Sequence, residues 1–111
     1  MEDKNSFDAN ILYIKELEVI FSYEIRSIIP LSDKVIVLLS IPQNDQTINN
    51  IYAVNHTGKI IWEVQDNQLD RKLPYEHMIL LDDKLTATDF YGRRSFINPS
   101  NGKIMKKDVV K

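Results

Sequence analysis

The chain has 111 residues, of which 43% are hydrophobic and 27% charged. That balance fits one soluble globular domain spanning 1–111 and does not fit a disordered segment. Fourteen Lys and Arg against sixteen Asp and Glu leave a net charge of −2, which removes the basic footprint of a general nucleic-acid binder. Cysteine is absent, so a disulfide framework, a thiolate metal site and a cysteine nucleophile are all excluded.

The start, Met1 to Ser6, is acidic and polar and lacks the basic flank and apolar core of a secretory leader. The longest apolar run, Val35 to Leu39, is far shorter than the about 20 residues of a membrane-crossing helix. A cytoplasmic protein with no membrane partner is expected.

In chain order, the first periodic segment is Ile11 to Ile25. Its odd positions are apolar apart from Lys15, while Glu16, Glu18, Ser22 and Glu24 occupy even ones. A two-residue period predicts a single long strand with the odd side chains inward. A helix from Asp8 to Leu17 competes, with Asp8 as its cap, but the β-branched and aromatic content favours the strand. Pro30 and Ser32-Asp33-Lys34 mark a turn. Val35 to Ile41 is apolar apart from Ser40, the pattern of a strand covered on both faces. Pro42–Asn50 is a polar loop. Ile51–Val54 and Lys59–Val64 form a hairpin whose turn, Asn55–Gly58, uses the conformational freedom of Gly58. Gln65–Pro74 is a second polar connection. Strands are then predicted over His77–Leu81, Leu85–Thr88, Arg93–Asn98 and Lys103–Val109, separated by turns at Asp82-Asp83, Asp89–Gly92 and Pro99–Gly102.

These segments contain an internal repeat, about 23–64 and 76–109. Asp33-Lys34 aligns with Asp83-Lys84, and Gly58-Lys59-Ile60 with Gly102-Lys103-Ile104. The longer loop Pro42–Asn50 in the first copy absorbs the difference in spacing. Four strands per unit of about 40–50 residues is a propeller-blade signature. The segment Ile51 to Trp62, with Tyr52-Ala53-Val54 and Thr57-Gly58-Lys59 before Trp62, resembles the blade motif of quinoprotein-type propellers. The second copy carries Lys106 where the first has Trp62. The whole pattern resembles small single-domain bacterial proteins built of two such units, which implies a blade-like fold in a cytosolic bacterial setting. Closing a propeller takes at least about four blades, so the resemblance implies no quinone or metal centre, and no cofactor is expected.

Catalytic constellations are absent from the pattern. The two histidines, His56 and His77, lie in a turn and at a strand start; with only Asp82 or Asp83 near His77 as a further ligand, they read as solvated rather than metal-binding. No Gly-x-Ser-x-Gly elbow occurs, and Asp82-Asp83 reads as a turn pair rather than an acid–base couple. The most interesting surface cluster is Arg93-Arg94 beside Phe90 and Tyr91, the composition of an interaction hot spot. Asp45, Asp66 and Asp70 give the two long loops an acidic lean.

The sequence therefore predicts an all-β antiparallel fold of about eight strands, in two four-stranded units packed as a sandwich or flattened barrel. It points to a non-catalytic protein-binding module, monomeric or weakly dimeric. In its most concrete form this is an immunity-type protein that neutralises a bacterial toxin by occlusion. The contact residues are expected to be Phe90, Tyr91, Arg93, Arg94, Asp45, Asp66 and Asp70. The competing expectation is a ligand-binding or enzymatic subunit whose site forms between chains of a propeller-like homo-oligomer.

Overall fold

The computed structural model describes residues 5–69 and 71–110. Its regular elements are all strands and every pairing is antiparallel. Among the described residues no helix is long and apolar enough to cross a membrane. Three sheets form where two were expected. The first comprises β1 (Asn5–Asp8), β2 (Ile11–Ile14) and β3 (Leu17–Ile20). The second is a meander of β4 (Ile25–Pro30), β5 (Lys34–Leu39), β6 (Ile51–Asn55) and β7 (Ile60–Glu63). The third repeats that meander with β8 (Tyr75–Leu81), β9 (Lys84–Asp89), β10 (Arg93–Ile97) and β11 (Ile104–Val109).

The expected strand over Ile11–Ile25 is instead a hairpin followed by a turn into β4. Lys15 takes a positive φ of 56° and the chain reverses between Ile14 and Leu17, which are cross-strand partners. Cross-strand partners share a face, so a two-residue turn reverses parity. Leu12 and Ile14 point inward on β2, then Val19 on β3, followed by Phe21 and Ile25. The odd-numbered pattern thus holds only beyond the turn, and no helix forms at Asp8–Leu17. Two further strands carry weak sequence signals. β1 is the polar tetrapeptide Asn-Ser-Phe-Asp. β4 ends in Pro30, which is tolerated because β4 lies at the edge of its sheet, where a missing donor costs no ladder bond.

The middle sheet is covered on both sides, and β5 is buried at every position. Val35, Val37 and Leu39 face the first sheet and pack with Leu12, Ile14 and Phe21. Ile36 and Leu38 face the third sheet and pack with Leu85, Ala87 and Ile97. The expected sandwich is thereby corrected to a three-layer stack, because the N-terminal hairpin supplies a separate third layer. At each junction an outer-strand side chain rests on a glycine turn. Leu17 and Val19 lie 3.6 Å from where a Cβ of Gly58 would sit, while Trp62 lies at 2.5 Å from that of Gly102. Both glycines have positive φ, 85° and 77°. Trp62 also donates its Nε1–H to the Pro99 carbonyl at 3.0 Å. The Gln65 side-chain oxygen accepts from the Ile104 amide at 2.8 Å, fastening the end of β7 to β11.

Candidate functional site

The two long loops and the β9–β10 turn meet around one cleft of about 610 Å³. Its apolar lining comes from Ile41, Pro42, Ile48, Leu73 and Pro74, with the rings of Phe90 and Tyr91, and its polar lining includes Asp45, Lys72 and Glu76. Each loop is held from within. Asn50, fully buried, donates to the Leu39 carbonyl at 2.7 Å and to the Tyr75 carbonyl at 2.9 Å, and accepts from the Tyr75 amide at 2.9 Å. The Tyr75 hydroxyl donates to Ser95 Oγ at 2.8 Å and accepts from Asn67 Nδ2 at 3.2 Å. Burial pushes the Tyr75 phenol above its ordinary range, against the opposing effect of these two hydrogen bonds. Lys107 Nζ donates to the Asn67 carbonyl at 2.7 Å. The network ties the ends of both loops to the third sheet, and no buried side-chain polar atom among the described residues is left unpaired.

Asp45 lines the cleft within a tight polar turn. It accepts from the Tyr23 hydroxyl and, at 2.8 Å, from the Thr47 amide. The Tyr23 hydrogen bond, with those from Thr47, holds its carboxyl below the usual carboxylate range. Asp66 sits outside the lining and acts on it indirectly. It accepts from Lys72 Nζ at 2.7 Å and from the Gln68 amide at 2.8 Å, and these bonds, the Lys72 one foremost, hold its carboxyl below the usual carboxylate range. Asp70 falls outside the described residues.

The aromatic pair is the most exposed part of the cleft. Phe90 and Tyr91 are 79% and 54% exposed, with ring centroids 6.0 Å apart. Their turn is built on Asp89, a buried carboxylate that accepts from the amides of Tyr91 and Arg93 and from Arg93 Nε at 2.8 Å. Arg93 also donates to the Arg71 carbonyl at 2.8 Å and lies over the Tyr91 ring at 5.5 Å. It therefore braces the turn and the loop rather than offering an open guanidinium. Arg94 points to the opposite face of the third sheet. There it makes a bidentate pair with Asp108 at 2.7 and 2.8 Å and lies over Phe96. The structure brings Asp45, Phe90 and Tyr91 into one cleft, places Arg93 and Asp66 behind it as braces, and separates Arg94 from it.

Sequence reasoning missed the apolar lining. Ile48 is the one aliphatic residue of Pro42–Asn50 and Leu73 is one of two, with Leu69, in Gln65–Pro74; their contrast with polar neighbours was the available signal. Asn50 and Asn67 read as ordinary loop asparagines; their role depends on Tyr75 and Ser95, which come near only through the fold.

The whole of this arrangement lies inside one conserved-domain match, to a domain of unknown function (DUF7957), over residues 3–109. The chain belongs to the DUF7957 family. No curated protein matches it. The DUF7957 match takes in all three sheets, the N-terminal hairpin included, so the cleft and the stack that frames it belong to a single family unit. Among the described residues no group of three or more His, Asp or Glu side chains is placed to hold a metal ion.

Proposed function

We propose that the chain is a non-catalytic protein-binding module whose cleft receives an apolar segment of a protein partner. The observation that carries this reading is the exposed Phe90–Tyr91 pair at the mouth of a cleft with a mainly apolar lining. Large aromatic side chains left in water beside a concavity have the character of interface anchors, since covering them recovers hydrophobic free energy at little cost in side-chain freedom. The polar residues Asp45, Lys72 and Glu76 would serve as the rim. In its most concrete form the module is an immunity-type protein that occludes a bacterial toxin, acting by coverage rather than chemistry.

The test is capture from the source cell's lysate with the wild-type chain and with Phe90→Ala/Tyr91→Ala side by side. The reading expects one partner at one-to-one stoichiometry, lost from the double variant while its melting temperature is unchanged. Equal capture by both chains would remove the cleft from consideration. A second reading, a small-ligand site, is favoured by the volume alone, which falls within the about 300–1,000 Å³ of ligand pockets. Its mark is saturable binding of a small molecule by the chain without any protein partner.

A further inference from the structure

Three charged residues line the cleft, and two of them are already paired. Lys72 is held by Asp66 at 2.7 Å, and Glu76 by Arg26 at 3.2 Å. Asp45 is the third. It is half-buried, and its hydrogen-bond donors among the described residues are the Tyr23 hydroxyl and the Thr47 amide, both uncharged. A carboxylate offers about four acceptor sites, so these donors orient Asp45 and leave it able to accept from a cation. The adjoining depression, which shares Pro42 with the cleft, adds Glu24 and no basic residue. Arg71, on the Gln65–Pro74 loop, lies outside the lining, and Arg93 is engaged with Asp89 behind the aromatic turn.

The rings show the same imbalance. Arg93 lies over Tyr91 at 5.5 Å, while Arg94 and Lys106 lie over Phe96 at 5.3 and 5.5 Å. Phe90 has no cation over it among the described residues, and at 79% it is the most exposed of their large apolar side chains. One cleft therefore presents an oriented carboxylate without a cationic partner and an aromatic face without one, beside the aliphatic side chains of Ile48 and Leu73. An ammonium or guanidinium is attracted by both, by the carboxylate through charge and by the ring through its quadrupole. The methylene stem that carries such a head covers apolar surface as well. A neutral side chain would gain the apolar contact alone, and an acidic one would be opposed by Asp45.

We propose that the partner segment received by the cleft carries a basic side chain flanked by apolar ones, read by Asp45 and the Phe90 ring. The inference rests on the reading of the cleft as a protein-binding site and names the chemistry of what it takes. The net charge of the chain, −2, favours the approach of a basic segment.

Nuclear magnetic resonance on the isotope-labelled full chain tests it, with three capped peptides as probes: acetyl-Leu-Lys-Leu-amide and the same peptide with Gln or Glu at its centre. The lysine peptide should shift the Asp45, Phe90 and Tyr91 amides with an affinity about fivefold above that of the glutamine peptide. The glutamate peptide should be weaker still, and added salt should narrow the differences. Asp45→Asn keeps an acceptor for the Thr47 amide, so the turn should survive. This variant should lose most of the preference for lysine while still binding the glutamine peptide. If it fails to fold, the three peptides compared on the wild-type chain, at low and high salt, carry the test alone. Equal binding of all three at the cleft would overturn this inference and leave the cleft a protein-binding site. No shift at these residues with any peptide, up to its solubility limit, would overturn both.

Discussion

The β4–β7 and β8–β11 sheets are the same four-strand meander with a positive-φ glycine before the last strand, yet they sit in opposite circumstances. The first is covered on both faces and the second on one. Their sequences record this. β5 is apolar from Val35 to Leu39 and buried throughout, whereas β9 alternates, with Leu85 and Ala87 buried and Thr86 and Thr88 turned out. Trp62 fills a junction and its counterpart Lys106 faces water beside Phe96. A strand's hydrophobic pattern thus reports its place in the stack, not only its secondary structure.

The sharpest way to break this comparison is at the paired positions. Trp62→Ala should cost about 3–5 kcal/mol, the range for a buried large aromatic. Lys106→Ala should shift the unfolding midpoint little, as an exposed site does. Chemical denaturation of both variants gives the contrast directly, and equal effects would show that the two positions are not distinguished by burial.

The two glycine turns offer a finer version. A Cβ at Gly102 would lie 2.5 Å from the Trp62 ring, and the φ of 77° adds strain, so Gly102→Ala should cost about 2–4 kcal/mol. At Gly58 the neighbours are Leu17 and Val19 at an ordinary 3.6 Å. Gly58→Ala should therefore cost only the backbone term, about 1 kcal/mol.

The adjacent arginines separate in the same way. Arg93→Ala leaves the buried Asp89 carboxylate without its cation, a change of about 3 kcal/mol, visible as a lower melting temperature. Arg94→Ala breaks a half-exposed pair with Asp108 and should have a much smaller effect. The double alanine variant would consequently report on folding before it reported on binding, which is why Phe90 and Tyr91 are the better probes of the cleft.

Smaller still is the pH dependence of the polar turns. Hydrogen bonds hold the carboxyls of Asp45, Asp66 and Asp108 below their ordinary range, from Tyr23, Lys72 and Arg94 respectively. The folded chain then binds fewer protons than the unfolded one. Their contribution is complete above the unfolded value of about 4 and is lost as pH falls through the lower folded values. Tyr75 has the opposite sign. Its phenol is raised by burial, so its contribution is present below about pH 10 and lost as pH rises beyond. Melting temperature measured across pH should decline at both extremes, and Tyr75→Phe should flatten the alkaline limb.

The all-β antiparallel character was legible because β-branched and aromatic residues dominate the strands and glycine, asparagine and aspartate mark the turns. The loops that frame the cleft were legible for the same reason. The third layer was not. Ile11–Ile25 keeps an apolar majority at odd positions on both sides of Lys15, and a two-residue turn shows in such a pattern only as a change of parity. β1 has almost no apolar content, so its pairing is set by β2 rather than by its own sequence. The ion pairs of the two arginines were not legible because Asp89 and Asp108 lie four and fourteen residues away, on a neighbouring strand or turn, and only the register unites them.

The β4–β7 sheet is the centre of the stack and the other two sheets are its covers. Amide hydrogen exchange along the chain tests this most directly. Protection should be greatest in β5 and β6, buried between two layers, and lower in β1 to β3 and in β11, which have one face or an edge in water. Exchange in β5 as fast as in β11, or a first sheet protected as strongly as the second, would contradict it.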